Sequence, residues 1–412
     1  MIQQKLSAGV LAAIACLGLQ TYSCCSAIAA AATSHVVNVK TFGAKGDGVT
    51  DDQAALEAAF QYAASRSQVV LFFPPGRYIH SDLLTATNTG VVGSTATLVG
   101  NGDTAHKSLE LNGKCVVSDM GFEFVESSFS QTEAAIIILT GSGTTVSRCN
   151  FNNVVVGIQF ADGTTKSIAS NCTFTNQISG SFGGVILRGD HNQVVECRFV
   201  NNNAGNSIGI QTGSITNGVI HGCTFSNVNV AVLIASLFGG PANFLQVDHN
   251  VMQVGDRGIT GNGGTNLSFT DNRISPVAAN SGTGGIAVNF NHHFDNVQIR
   301  DNSISGFAGN GIDGAFTAAN IQHNLITNCG GPGIDITDTS NGLNISLNAL
   351  KNCGLTTGPA VIFVESGTGS VAIRSNTYTG NTSNLDFFIR SVPNASLSGN
   401  VTNTGLGNRI GP

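Results

Sequence analysis

One short phrase recurs from Cys149 to Asn400: a small or polar residue, then Cys or Asn, then any residue, then a large apolar one. Its rungs are Cys149-x-Phe151, Cys172-x-Phe174, Cys197-x-Phe199, Cys223-x-Phe225, Asn250-x-Met252, Asn272-x-Ile274, Asn302-x-Ile304, Asn324-x-Ile326, Asn348-x-Leu350, Asn376-x-Tyr378 and, most weakly, Asn400-x-Thr402. Successive rungs are 23, 25, 26, 27, 22, 30, 22, 24, 28 and 24 residues apart. A drifting period in this range marks a solenoid, each repeat being one backbone turn stacked on the last. Gly-Ile sits between many rungs, at 157–158, 209–210, 258–259, 285–286, 311–312 and 333–334. Each coil therefore reads as a strand opening at Gly-Ile, a turn, a second strand, the Cys/Asn rung and a third short strand.

This pattern predicts an all-β fold, a single-stranded right-handed parallel β-helix. Inward Phe, Ile, Leu and Val would stack on their own kind one coil away, roughly 4.8 Å below. Asn tolerates the left-handed dihedrals of a tight turn and can hydrogen-bond to the Asn above and below. Cys at the same rung packs as a small buried hydrophobe. A leucine-rich repeat would need leucines at several fixed offsets, which are missing. An antiparallel sandwich would not hold one marked position in register through eleven turns.

A chain of 412 residues usually divides into domains, but a solenoid grows in one dimension. With no Pro- or Gly-rich linker in view, residues 31–412 read as one β-helix domain, with a cap over about 36–80 and ladder coils over about 115–402. Charged residues make up only 10% and Gly 52 positions, as suits tight turns and short polar side chains. The net charge of −6 and the lack of a basic stripe exclude nucleic-acid binding. Residues 1–30 have the pattern of a signal peptide: Lys5, the apolar run Leu6–Leu19, and Ala27-Ile28-Ala29 as a cleavage site. The expected location is secreted or periplasmic, with no membrane association after signal removal; a lipoprotein anchor on Cys24 is the weaker reading. Seven cysteines remain after the signal. Those at 149, 172, 197 and 223 are expected as buried thiols, and Cys329 and Cys353, in matching Asn-Cys-Gly turns, stand where a bridge is permitted.

Ahead of the ladder, Gly43, Gly46 and Gly48 make a tight loop. Thr50 is expected to cap a helix near 51–65, with Gln53 completing a capping box, and this helix would cover the open end of the solenoid. Val69–Phe73 reads as a buried strand stopped by Pro74-Pro75-Gly76. The segment Phe42-Gly43-Ala44-Lys45-Gly46-Asp47-Gly48-Val49-Thr50-Asp51-Asp52, the Ala-rich helix and Leu71-Phe72-Phe73-Pro74-Pro75-Gly76-Arg77-Tyr78 together resemble the opening of the pectate-lyase superfamily, in particular its rhamnogalacturonase/epimerase-like pectate lyase domain. The resemblance is close over residues 36–80. It implies the β-helix fold and a polysaccharide partner, with substrate along the first strand and the turn after it, but it does not choose between hydrolase, lyase and epimerase chemistry. The polygalacturonase Asn-Thr-Asp and Arg-Ile-Lys motifs are absent, as is the Asp-Pro-His-Asp motif of alginate epimerases. The aspartates of the 47–52 segment are expected to serve loop and cap geometry.

The Gly-Ile register aligns positions between coils. The residue after Ile should point outward, which places Gln159, Gln211, Thr260, Ala287, Asp313 and Asp335 in one column. Asp313 and Asp335 would then stand about 4.8 Å apart in successive coils. Two carboxyls that close perturb each other and can form an acid–base pair. Asp338 follows at the start of the next turn, His292 and His293 occupy the corresponding turn one coil earlier, and Glu365 lies one coil later. Asp313, Asp335 and Asp338 are the predicted catalytic group, with His292, His293 and Glu365 as substrate contacts. A second cluster, Arg188, Asp190 and His191, could bind an acidic sugar. The favoured reading is an exported glycoside hydrolase that needs no cofactor. The alternatives are a lyase or epimerase, for which Ca2+ could be held by carboxylates, and a non-catalytic glycan-binding or adhesion solenoid.

Overall fold

The computed structural model describes residues 35–101, 107–124, 135–175, 183–200, 207–235, 240–289, 292–337, 340–354, 360–365, 369–380, 387–390, 392, 394–400 and 409–411. The signal-peptide segment and Asp338 lie outside the described residues. Two units are distinguished, Met1–His35 and Val36–Pro412; of the first only His35 is described, and the second is the solenoid.

The second unit is an all-β parallel β-helix. Among the described residues the strands of the coils pair in parallel with the strand one coil away, so the coils form three stacked faces. On the first face, for example, Gly284–Val288 pairs with Asn310–Gly314, which pairs with Ile334–Ile336. The second face stacks Val219–His221, Gln246–Asp248 and Ser268–Thr270. The third stacks Asn150–Asn152, Thr173–Thr175 and Arg198–Val200. Inward residues are sealed: Ile158, Ile210, Ile259, Ile286, Ile312 and Ile334 have no exposed surface.

The predicted rungs form one edge. Phe122, Phe151, Phe174, Phe199 and Phe225 stack with ring centroids 4.7–5.1 Å apart and planes within 11°. Beside them runs a ladder of amides. From Asn250 to Asn376, each backbone N–H and each Nδ2 donates to Oδ1 of the Asn in the next coil, at 3.0–3.1 Å. Each Nδ2 also donates to a carbonyl of the preceding coil, as Asn250 does to Ile220 O at 3.0 Å. Cysteine fills the same place: Cys223 Sγ reaches Val194 O at 3.6 Å and Cys197 Sγ reaches Ala169 O at 3.6 Å. Val194 and Ile220 are register partners, so thiol and amide serve equivalent carbonyls. All seven cysteines of this unit, Cys329 and Cys353 included, are buried and outside any disulfide.

The residue before each rung turns the corner in the left-handed region. Arg148, Asn171, Glu196, His249, Asp271, Asp301, His323, Leu347 and Ser375 have φ between 51° and 59°. This column corrects one expectation. Counting 30 residues back from Cys149 along the sequence puts the ladder residue of the preceding coil at Asp119, but Asp119 has φ 60° and belongs to the corner; its carboxylate pairs with Arg148 at 2.8 Å. The rung of that coil is Met120, because Gly121 and Phe122 pair with Asn150 and Phe151.

The Gly-Ile repeat has a steric cause. An added Cβ at Gly311 would lie 2.5 Å from Ile326 Cγ2, and one at Gly285 would lie 2.5 Å from Ile304 Cγ2. The rung's own apolar side chain occupies the space that a larger residue would need.

At the N-terminal end, the helix Gln53–Ala64 buries Leu56, Ala59, Phe60 and Ala63 against the strands Val69–Phe73 and Leu84–Thr87. Thr50 does not cap it. Thr50 ends up in the strand Asp47–Asp51, its hydroxyl donates to Asp47 Oδ2, and Asp51 Oδ1 accepts from Gln53 N at 3.0 Å instead. The Asp47 carboxyl also accepts from the Thr50 and Val49 amides, which hold its pKa down at about 2. Asp52 is 2% exposed, and its two oxygens accept from Lys45 N at 2.6 Å and Gly46 N at 2.9 Å. The Gly-rich loop meets the Pro-Pro-Gly turn directly, for Arg77 N donates to Gly46 O at 3.0 Å. Asp52→Ala orphans two amide donors and should destabilise the fold by about 2–3 kcal/mol. Urea denaturation checks this; any activity per folded molecule should be unchanged, and loss of activity at full stability would contradict the structural role.

Candidate active site

Asp313 and Asp335 face each other in register on the strands Asn310–Gly314 and Ile334–Ile336. Their neighbours Ile312, Ile334 and Ile336 point inward and are fully buried, so alternation sends both carboxyls outward. They were expected on an open solvent face; they are half-buried instead. Burial pushes both pKa values up. Asp335 reaches about 7, raised by desolvation, then by the Asp313 and Glu365 charges, and opposed by a hydrogen bond from Asn310. Asp313 is also raised by burial, but the Arg257 cation and Asn310 hold it back. Asn310 Nδ2 donates to Asp335 Oδ2 at 3.0 Å, while Asp335 Oδ1 is buried without a hydrogen-bond partner among the described residues.

The outward column explains this environment. It runs Thr260, Ala287, Asp313, Asp335, Phe363 in consecutive coils. Arg257 lies in the neighbouring column, two coils before Asn310, with Gly284 between them. Its Nη1 donates to Asn289 Oδ1 at 2.7 Å and its Nε to Thr283 Oγ1 at 2.8 Å. Between Arg257 and the acid pair, the residues in the two columns, Gly284 and Ala287, are small. On the far side, Phe363 is half-buried beside Asp335, and Glu365 follows the strand Ile362–Val364, its backbone N–H donating to Ile336 O at 2.9 Å. The arrangement is a cation, two stacked carboxyls, an aromatic ring and a third carboxyl along one face. Two acids of one chemical type held in unequal fields suit proton donation by one and acceptance by the other.

The other predicted residues fall out differently. His292 and His293 lie in the turn after Gly284–Val288, partly exposed; the groups acting on the two aspartates are Arg257, Asn310 and Glu365. Asp190 and His191 pair with each other, while Arg188 lies near Asp162. His191 Nδ1 and Asp190 Oδ2 are 2.8 Å apart, Asn217 Nδ2 donates to Asp190 Oδ1 at 3.0 Å, and Arg188 Nη1 is 3.8 Å from Asp162 Oδ2. Asn217 and His191 hold the Asp190 carboxyl below its usual range. Five register steps separate this coil from that of Asp313, roughly 24 Å at one strand spacing each, so the structure does not bring the two clusters together. Sequence reasoning missed Arg257, Asn310 and Phe363. Their signal was available in the register, since Arg257 and Asn310 each immediately precede a Gly-Ile pair.

Comparison with known proteins agrees with this architecture. A family model described as rhamnogalacturonase A/epimerase, pectate lyase-like, matches residues 36–239, and one for the right-handed beta helix region matches residues 237–402. The chain belongs to the pectate-lyase-like superfamily. Among solved structures, the A-module of the mannuronan C-5 epimerase AlgE6 of Azotobacter vinelandii is similar, with 14% identity, TM-score 0.57 and coverage of 89% of this chain and 98% of that one. The surface protein and adhesin PfbA of Streptococcus pneumoniae has 13% identity, TM-score 0.56 and coverage of 92% and 99%. The catalytic unit of a thermostable alpha-1,3-glucanase from a Streptomyces thermodiastaticus strain has 16% identity, TM-score 0.55 and coverage of 90% and 70%. At these identities the likeness is one of fold. A stretch of 51 residues is 53% identical to a non-secreted LysM effector of Penicillium expansum; it takes in 12% of this chain and 4% of that relative's length. The superfamily therefore accounts for the scaffold, and the side chains on the first face have to account for the chemistry.

Proposed function

We propose that the chain is an exported carbohydrate-active enzyme that hydrolyses a glycosidic bond in a polysaccharide. The observation that carries this reading is the register pair Asp313/Asp335, in which burial lifts both acids, Asp335 to about 7, while Arg257 opposes the rise at Asp313. Asp335 is the general acid and protonates the departing glycosidic oxygen. Asp313, beside the guanidinium, is the general base and takes a proton from the attacking water. The C–O bond to the leaving sugar breaks as the C–O bond to water forms, and the two carboxyls exchange protonation states. Phe363 offers an apolar ring face to a sugar beside Asp335. Superfamily membership and the named activities of the epimerase and the glucanase support a carbohydrate substrate. Export rests on the sequence of residues 1–30.

A second reading has its own observation. Asp313, Asp335 and Glu365 lie on three successive coils of one face, and one Asp335 oxygen is without a hydrogen-bond partner among the described residues; oxygen donors of this kind suit Ca2+. Bound there, Ca2+ would supply charge to acidify the proton beside a uronate carboxylate, the chemistry of a lyase or epimerase. A panel of neutral and uronate polysaccharides, with and without a chelator, separates the readings. New reducing ends without an ultraviolet-absorbing unsaturated uronide are the expected result, insensitive to chelator. Asp313→Asn/Asp335→Asn should lower the rate by at least about a hundredfold with an unchanged circular dichroism spectrum. Chelator-sensitive formation of unsaturated ends would favour the second reading. Retention on immobilised glycan with no turnover would leave an adhesin-like binder, and full activity in the double variant would move the site elsewhere.

A further inference from the structure

Three coils before Asp313, on the second face rather than the first, three side chains converge that the proposed reaction does not use. His221 and Asp248 are register partners on the strands Val219–His221 and Gln246–Asp248. His249, the next residue, is the left-handed corner of its coil, with φ 56°. The corner swings its ring back over Asp248, so that both imidazole Nδ1 atoms lie 2.8 Å from the same Asp248 Oδ2. The two ring centroids are 5.3 Å apart. The Asp248 side chain is only 6% exposed, whereas the two histidines are 42% and 59% exposed. Asp248 Oδ1 is buried with no hydrogen-bond partner among the described residues. A sealed carboxylate with one unmet oxygen, under two solvent-facing imidazoles, is expensive unless something completes it.

We propose that His221, Asp248 and His249 bind a late first-row divalent transition ion such as Zn2+, stapling two adjacent coils. One ligand atom from each residue can be chosen so that all three lie within 4.8 Å of one another. Ligands at about 2.0–2.2 Å from a tetrahedral ion stand roughly 3.3 Å apart, so the 2.8 Å contacts to Asp248 Oδ2 have only to open by about half an ångström to admit the ion. Two imidazole nitrogens and one carboxylate oxygen suit Zn2+, Ni2+ or Cu2+ and disfavour Ca2+ and Mg2+, which take oxygen. The exposed rings leave the remaining coordination positions to water. The backbone of both coils is fixed by ladder bonds, including His249 N to Thr270 O and Asn250 N to Asn272 Oδ1, so the ligands sit on rigid elements. Because the ion joins neighbouring coils, it should stabilise the folded chain in proportion to its occupancy.

The test uses the full chain without a histidine tag. Calorimetric titration with Zn2+ alone should give one saturable site per chain and raise the melting temperature, while Ca2+ and Mg2+ at the same concentration should do neither. Co2+ in its place should give the visible absorption of a nitrogen- and oxygen-ligated ion. His221→Ala and His249→Ala should each weaken Zn2+ binding by at least about tenfold, as loss of one of three ligands requires. Both rings are solvent-facing, so metal-free melting should show these variants folded; if one fails to fold, the other decides. Asp313→Asn/Asp335→Asn should retain full Zn2+ affinity. Absence of stoichiometric binding, equal affinity in His221→Ala/His249→Ala, equal binding of Ca2+, or loss of binding in the double aspartate variant would each overturn the proposal.

Discussion

Asp335→Asn should give a protein that cannot turn over substrate and yet is more stable than its parent in mild alkali. The loss of activity follows from removing the proposed general acid, about 10²–10⁴-fold in kcat. The gain in stability follows from the same carboxyl's environment. In the unfolded chain it ionises near 3.8, but in the folded chain only near 7. Below pH 4 it is protonated in both states and costs nothing. As the pH rises from about 4 to 7 the unfolded state gives up a proton that the folded state keeps, and stability falls. Above 7 the full penalty is present, of the order of 4 kcal/mol at about 1.4 kcal/mol per pH unit. An amide cannot ionise, so Asp335→Asn removes that penalty. Urea denaturation at pH 4 and pH 8 should show parent and variant differing little in acid, with the variant ahead in alkali. A difference that did not change with pH would mean that Asp335 is not held protonated by its surroundings. Function bought at the expense of stability is the usual signature of a working site.

Replacing a mid-ladder asparagine should have the largest effect on folding. Asn302 Oδ1 accepts from both Asn272 N and Asn272 Nδ2 at 3.0 Å, and its own Nδ2 donates to Phe269 O at 2.9 Å and to Asn324 Oδ1 at 3.0 Å. Asn302→Ala leaves two donors and a carbonyl unmet in a sealed interior, and at about 1–3 kcal/mol for each orphaned group the total is about 4 kcal/mol or more. Asn302→Cys should be the mildest change, since a thiol can still reach the carbonyl as Cys223 reaches Val194. Asn302→Asp should be the worst. It keeps the acceptor but turns a second oxygen on Phe269 O and Asn324 Oδ1, and buries a charge. The order Cys, Ala, Asp in urea midpoints checks the mechanism, and Asp tolerated as well as Cys would sink it. Hydrogen exchange should locate the damage at the Asn272 and Asn302 amides.

The fold was legible because its marks repeat. Cys or Asn at one corner and Gly-Ile at another are each imposed by contacts with the adjoining coil, so they recur wherever a coil does. Where a coil lacks its mark, the reading slipped by one residue: Met120 carries neither an amide nor a thiol, and the nearby Asp119 took its place. Thr50 was misplaced for a different reason. Its local pattern suits a helix cap, but Asp47 captures its hydroxyl first. The Asp313/Asp335 pair was legible because both residues sit at the same offset from Gly-Ile. Arg257 was harder to read: its place before Gly-Ile is in the register, but its effect on Asp313 depends on where a long side chain carries its charge. His221, Asp248 and His249 were harder still, since their convergence requires the dihedral of one corner residue.

The amide ladder also has a direction. Each asparagine offers its backbone N–H and one Nδ2 hydrogen to the coil that follows, and its Oδ1 to the coil that came before. Through the asparagine rungs, a solenoid growing from its N-terminal end therefore finishes in a coil whose donors are waiting for the next asparagine. The incoming coil brings the matching acceptor and at once presents a new pair of donors of its own. Assembly in this order is templated, each turn fixing the register of its successor, and it runs in the same sense as synthesis or threading from the N-terminus. Growth from the opposite end has to order an acceptor before its donors exist. A chain released C-terminus first should thus reach the native register more slowly than one released N-terminus first, although both arrive at the same set of bonds.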